Sequence, residues 1–231
     1  MSRALVVDLG GARRCLSSAV LGGGLHIATH WLNVQVPHDY SRLDPEAHLA
    51  GEALARGLRP ESVVGMLTAA DVDAVQLRAR GPARVRATVG IGHPLAAAGR
   101  IPGALPMVGT INLLVELDSP LTDSALAGAI QTATEAKAQG LADAGVRALN
   151  HPGYATGTAT DSICVAALPG ASEPFAGPAT AVGGAVAATV HGAVLAGARA
   201  DELRTARSRR GGAARSRRAG AARWRRAGAA T

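Results

Sequence analysis

Apolar and polar positions alternate with a period of two through much of the first third of the chain, the spacing of a half-buried strand. ALVVDL (4–9), RCLSSAV (14–20) and GLHIATHWLNVQV (24–36) read as strands, with Gly10, Gly11 and the triple glycine 22–24 as the turns between them. DPEAHLAGEALARGL (44–58) reads as a helix, with Asp44 as N-cap, Pro45 at the first helical position and an end at Gly57. Strand patterns return at 62–67, 73–79 and 84–91, the last alternating Val85, Ala87 and Val89 against Arg84, Arg86 and Thr88. Residues 107–118 are the most apolar strand candidate. They lead into a helix over 120–145 that starts at Thr122 or Asp123 and stops at Gly145. A strand at 162–168, a Gly/Pro loop and a helix over 178–198 complete the body. Strands that cluster early among fewer helices predict an α/β (α+β) fold, a mixed β-sheet covered by a few helices in a single domain over residues 1–203.

Composition narrows the choice of partner. Aromatic residues are only 2% of the 231 residues, so a stacking platform for single-stranded nucleic acid is poorly supplied. The net charge of +7 is not spread along the chain. Residues 1–203 hold 13 Arg and one Lys against 17 acids, a net of −3, whereas residues 204–231 hold ten Arg and no acid. That tail has almost no large apolar residue to offset the entropy of ordering, so it is expected to be disordered. Charge alone gives only non-specific affinity for polyanions, and the plainer reading is a solvated extension, with nucleic acid disfavoured as a partner.

The start of the chain has an acid, Asp8, inside a short apolar run, which does not make a signal peptide. Residues 178–198 carry no formal charge but are mostly Ala, Gly and Thr around a central His191, too weakly apolar for a membrane span. Val182, Val186, Val190 and Val194 recur every four residues there, as in a helix buried in a core. These features, together with cysteines that form no CxxC pair, point to a cytoplasmic protein without a membrane or a structural metal. His26 and His30 would lie about 13 Å apart along a strand, too far for shared ligation. Cys164, within an apolar strand, reads as an inert core thiol.

Chemistry concentrates in three places. In the helix over 120–145, Leu126, Ile130, Ala133, Leu141 and Ala144 form one stripe, and Lys137 falls in the middle of it. Lys137 is the only lysine of the chain. An ammonium on a core-facing stripe must snorkel out, pair with an acid or lose its proton. Glu135 points about 160° away on an ideal helix and would not pair with it directly. In YATGTATD (154–161), Thr156, Thr158 and Thr160 occupy alternate positions, with Gly157 among them and Asp161 directly after. Extended backbone would turn the three hydroxyls the same way. GTIN, with Gly109, Thr110 and Asn112, is the third. Gly-Thr turns can present backbone N–H groups to an anion, although ordinary turn chemistry explains each piece alone. His93, between Gly92 and Pro94, is a candidate loop base with a plain surface alternative.

Taken in order and spacing, GTINLLVEL, LTDSALAGAIQTATEAKAQGL and ATGTATDSICVA resemble the adenosylcobinamide amidohydrolases of corrinoid salvage. CLSSAVLGGGL (15–25), WLNVQV, GMLTAA (65–70), TVGIGHP (88–94) and FAGPATAVGGAVAATV extend the resemblance over roughly residues 14–198. It implies hydrolysis of the amide that joins a corrin-ring carboxylate to an aminopropanol arm, the cobalt corrinoid being substrate and no cofactor being needed. The residues already singled out suit such a reaction, with Glu135, Lys137, Asp161 and Thr158 as the candidate catalytic groups. Substrate contacts would come from Ser17, Ser18, Gly23, Asn33, Thr68, His93, Gly109, Thr110, Asn112, Thr156, Gly157 and Thr160. Either Asp161 or Glu135 would activate water, or Thr158 would attack with help from Lys137; a non-catalytic corrinoid carrier with the same pocket is the alternative. Each version requires Lys137 and the threonine row to meet at one cavity.

Overall fold

Gly10 and Gly11 do not turn the chain back. In the computed structural model, which describes residues 2–100 and 109–227 (side chains of the last helix to Ser208), residues Ala4–Ser17 form one 14-residue strand, β1. The two glycines, at φ 72° and 125°, lie in a bulge: four residues of β1 between Asp8 and Arg13 face one residue, Thr29, of the neighbouring strand. Glycine adopts these φ values without a Cβ penalty, so the strand bends and continues. The turn expected at 10–11 is thereby corrected to a bulge.

The remaining strands are β2 (Gly24–Gln35), β3 (Val63–Thr68), β4 (Gln76–Arg80), β5 (Ala83–Gly90), β6 (Thr110–Leu121) and β7 (Ser162–Glu173). The helices are α1 (Pro45–Leu54), α2 (Asp123–Asp143) and α3 (Ala181–Ala227). Residues 107 and 108 of the strand expected at 107–118 lie outside the described residues. The strand expected at 73–79 divides into a short 3-10 turn at Val72–Ala74, capped by the Asp71 carboxylate, and β4. Asp44 stands at the start of α1, but its carboxylate binds Arg42 rather than capping the helix.

The seven strands form one mixed sheet in the order β3-β2-β1-β7-β6-β5-β4, parallel at β2/β3 and β6/β7 and antiparallel elsewhere. The parallel pair β6/β7 is joined by α2, the crossover such a pair needs. Ile111, Leu113, Val115 and Leu117 of β6 point to the face covered by α2 and α3, with Leu126, Ala129, Ala133 and the valine stripe of α3 packed on them. The opposite face of the same strand meets its own sheet. Leu114 joins Cys15, Trp31, Met66 and Cys164 in a second cluster. The Asn33 amide donates to Thr88 Oγ1 (2.9 Å), and the Asn112 amide donates to Asn33 Oδ1 and Leu67 O (2.8 Å each). The sheet is therefore curled until β2 and β3 stand over β5 and β6.

Ala181–Ser208 is long and apolar enough to cross a membrane by length and composition, and 56% of its most apolar window is buried inside the protein. Val186, Val190 and Val194 are fully buried against the sheet and α2, as the valine spacing predicts for a core helix. The backbone of α3 continues helically into the arginine-rich segment for which composition predicts disorder. Ala and Arg are strong helix formers, which is the local term favouring that continuation.

Leu113 is fully buried between the sheet and α2. Leu113→Ala is expected to cost about 2–5 kcal/mol, the range for a core leucine truncation, read as a lowered urea midpoint at unchanged slope.

Candidate active site

Thr122 starts α2: its side chain accepts from Ala125 N at 3.2 Å, and the helix runs to Asp143 before Gly145 turns the chain at φ 80°. This phase buries Leu126, Ala133, Leu141 and, among them, Lys137. The ammonium neither snorkels nor loses its partner. It forms an ion pair with Asp161, each side chain being 9% exposed. The acid comes from the end of the threonine segment, across the groove from α2.

Asp161 is held from three directions. Its Oδ1 accepts from Ile111 N (3.0 Å) and lies 2.5 Å from Thr158 Oγ1; its Oδ2 accepts from Thr158 N (3.0 Å) and from Lys137 Nζ. A carboxylate has about four lone-pair sites; Ile111 N, Thr158 N and Lys137 Nζ take three of them, and the Thr158 hydroxyl takes the fourth when it turns from Gly109 O. The N–H groups beside Gly109 and Gly157, expected as a nest for a substrate anion, are thus spent on the protein's own carboxylate, and Gly157 N donates to Leu95 O (3.2 Å). Gly157 has a steric role as well: a Cβ there would stand 2.3 Å from Asp161 Oδ2 and 2.7 Å from Lys137 Nζ.

The threonines do not form a ladder on one strand. Among the described residues, isolated bridges, Leu95 to Gly157 and Arg147 to Tyr154, pair the segment's backbone before it turns at Ala159–Thr160. Thr156 Oγ1 accepts from Ala97 N (2.9 Å). Thr158 Oγ1 lies 2.7 Å and Thr160 Oγ1 3.1 Å from Gly109 O, and Thr160 Oγ1 is 2.8 Å from Thr110 Oγ1. The Thr158 hydroxyl has one proton and two acceptors, Gly109 O and Asp161 Oδ1, so it bonds one of them at a time.

Two cavities meet at Asp161. The larger, about 600 Å³, is lined by Glu135 and Lys137 of α2, by Thr156, Gly157 and Thr158, and by the loop Leu95–Arg100. Glu135 is exposed, and one of its oxygens accepts from Gln131 Nε2 at 3.1 Å. The smaller, about 320 Å³, has Ser18, Thr68, Thr110, Thr160 and Ser162 on its polar side and Val36, Met66 and Leu67 among its apolar walls. Of the remaining sequence-predicted residues, none lines either cavity. Ser17 Oγ donates to Ile163 O (3.0 Å), and Asn33 and Asn112 tie β2 and β3 to β5 and β6. Gly23 lies where a Cβ would meet Ala19 O at 2.3 Å, and Gly109 enters β6 with Gly90 O and His93 N closing on it. The His93 residue is buried rather than a surface loop base.

Asn150 was not singled out by the sequence. Its amide clamps the loop over the larger cavity: Oδ1 accepts from Ala96 N (2.8 Å), and Nδ2 donates to Ala96 O (3.0 Å) and Arg100 O (3.1 Å). Arg100, on that loop, lines the cavity as well. Cys164 is buried, and its hydrogen bond to Cys15 together with burial pushes the thiol well above its usual range, which suits a core role. No group of three potential metal ligands occurs among the described residues.

A deep cavity with a fixed ammonium, a carboxylate and a hydroxyl cluster is the kind of site used by hydrolases. The chain belongs to the adenosylcobinamide amidohydrolase family, whose model matches residues 1–206. An adenosylcobinamide amidohydrolase of Halobacterium salinarum is 32% identical over 183 residues, 76% of this chain and 75% of the relative. One from Methanosarcina mazei is 31% identical over 149 residues, 64% of this chain and 67% of the relative.

Removing one partner of a buried ion pair leaves the other charge uncompensated, at about 3–5 kcal/mol. Asp161→Ala is expected to lose that much stability by denaturant titration, and adding Lys137→Met to it to restore part of the loss. In Gly157→Ala the new methyl must push the pair apart, so activity should fall at least tenfold while the far-ultraviolet circular dichroism is kept.

Proposed function

We propose that the protein hydrolyses the amide joining the corrin-ring carboxylate of adenosylcobinamide to its aminopropanol arm, in the cytoplasm, giving adenosylcobyric acid and the free amino alcohol, from which a cell can rebuild the lower loop of its own cobamide. Family membership supports the amidohydrolase class. The observation that carries the mechanism is the Lys137 ammonium held in the wall of the larger cavity by Asp161.

Amide hydrolysis needs an attacking oxygen, a counter-charge for the tetrahedral oxyanion and a proton for the departing amine. Lys137, held against Asp161 at the cavity wall, suits the second task as a compact point charge. Asp161, with three fixed donors and the Thr158 hydroxyl as a fourth partner, positions Lys137 and Thr158. Glu135 lines the same cavity and is open to solvent, so it takes the proton of the attacking water. The resulting hydroxide adds to the carbonyl carbon, the oxyanion is balanced by Lys137, and the same proton passes from Glu135 to the nitrogen as the C–N bond breaks. The products are the ring carboxylate and the amine.

The 2.5 Å separation of Thr158 Oγ1 from Asp161 Oδ1 favours a second route. Thr158 would attack the carbonyl carbon as its proton passes to Asp161, that proton would go to the nitrogen as the C–N bond breaks and the amine leaves, and water would then hydrolyse the acyl ester on Thr158.

Incubation of the purified protein with adenosylcobinamide should yield adenosylcobyric acid and aminopropanol by liquid chromatography with mass detection; tight binding without turnover would instead identify a carrier. Glu135→Gln should lower kcat by about 10²–10⁴-fold at unchanged stability, the usual worth of a general base. Lys137→Arg should be strongly impaired, because the larger planar guanidinium does not replace a compact point charge beside Asp161, and full activity in it would show that a compact charge there is not needed. An acyl adduct trapped on Thr158 by rapid acid quench would replace direct water attack by the second route.

A further inference from the structure

One wall of the larger cavity is the loop Leu95–Arg100, whose middle, Ala96 to Gly99, carries only small side chains and so has little packing of its own. Hydrogen bonds hold it instead, in two groups. The near end is laced to the threonine segment: Leu95 N donates to Gly157 O (2.8 Å), Thr156 N and Gly157 N donate to Leu95 O (2.9 and 3.2 Å), and Ala97 N donates to Thr156 Oγ1 (2.9 Å). Among the described residues, the far end is tied down by Asn150. Its backbone carbonyl accepts from Arg100 N (3.1 Å), and its side-chain amide bonds Ala96 N, Ala96 O and Arg100 O. Both protons of that amide are spent on loop carbonyls, so Asn150 lines the cavity without a side-chain N–H to offer an occupant. Gly99 fits closely against the same side chain: a Cβ there would stand 2.4 Å from Asn150 Nδ2 and 2.5 Å from its Cγ.

We propose that Asn150 is the positioning residue of the larger cavity: by bonding Ala96 and Arg100 it sets the wall against which the substrate binds, and with it the place from which Arg100 meets that substrate. The inference rests on the proposed amide hydrolysis for the reaction served. The groups assigned to bond breaking are held independently. Glu135 and Lys137 are carried by α2, and Asp161 takes its fixed donors from Ile111, Thr158 and Lys137. None of those bonds passes through Asn150, and the lacing of Leu95 to Gly157 does not need it. Losing the Asn150 amide therefore loosens the wall that binds and spares the groups that react, so the effect falls on KM rather than on kcat. A residue serving stability alone would lower the folded population and leave the KM of the folded molecules as it was.

Asn150→Ala removes the clamp from one side, and Gly99→Ala, at a position outside the left-handed region, crowds it from the other. Each is expected to raise KM for adenosylcobinamide about tenfold, with kcat within about twofold of the wild type and the urea midpoint nearly kept. Because both act on one clamp, the double variant should stay near the worse single, whereas independent effects would multiply to about a hundredfold. Hydrogen exchange read by mass spectrometry should quicken over residues 95–100 in Asn150→Ala and stay as it was over α2. An unaltered KM in Asn150→Ala overturns the proposal, as do KM effects that multiply, or a kcat that falls in step with the urea midpoint. A wild type that binds adenosylcobinamide without turning it over sinks the proposed reaction alone. Calorimetric affinity then decides for Asn150, being about tenfold weaker in Asn150→Ala if that residue sets the wall and equal if it does not.

Discussion

One carboxylate organises the site. Asp161 takes its donors from three separate stretches of chain: Lys137 on α2, Ile111 at the start of β6, and Thr158 on the segment it terminates. An ammonium buried in the apolar stripe of α2 would be very costly without such a partner, and a buried carboxylate would be equally costly without the ammonium. Each makes the other tolerable, and together they fix how α2, β6 and the threonine segment stand relative to one another. The glycine at 157 belongs to the same arrangement, because any side chain there would occupy the space of the pair.

The covalent economy of the fold follows from the sheet. Sequential strands with α2 as crossover place Thr110 and Ser162, the first residues of the parallel strands β6 and β7, at one end of the sheet. Thr158 and Thr160 reach that end through Gly109 O rather than through a ladder of their own. The curled inner face, with Asn33, Thr88 and Asn112 as its polar tie, keeps β2 and β3 over the strands that carry the site. Residues such as Asn33 and Asn112 thus shape the cavity from behind without touching it.

How much of this could be read beforehand depended on whether the interaction was local. The alternation in β5, the apolar run of β6 and the cap and stop of α2 are short-range patterns, and each was legible in the sequence. The anomaly of a lone lysine in an apolar stripe was legible too, and so was the company of threonines before Asp161. Which acid answered the lysine was not, because the pairing spans 24 residues and depends on how the segment after α2 folds back. The glycine pair at 10–11 misled for the opposite reason: positive φ serves a turn and a bulge alike, and only the register with β2 decides between them. Asn150 left no signal, since the bonds that give it meaning run to backbone atoms some fifty positions earlier.

The common wall between the two cavities carries a thermodynamic obligation. An occupant of either space that shifts Asp161 changes the free energy of filling the other, and linkage requires the effect to be identical in both directions. Two chambers with one side chain in common are thereby coupled to just the extent that filling either one moves that side chain.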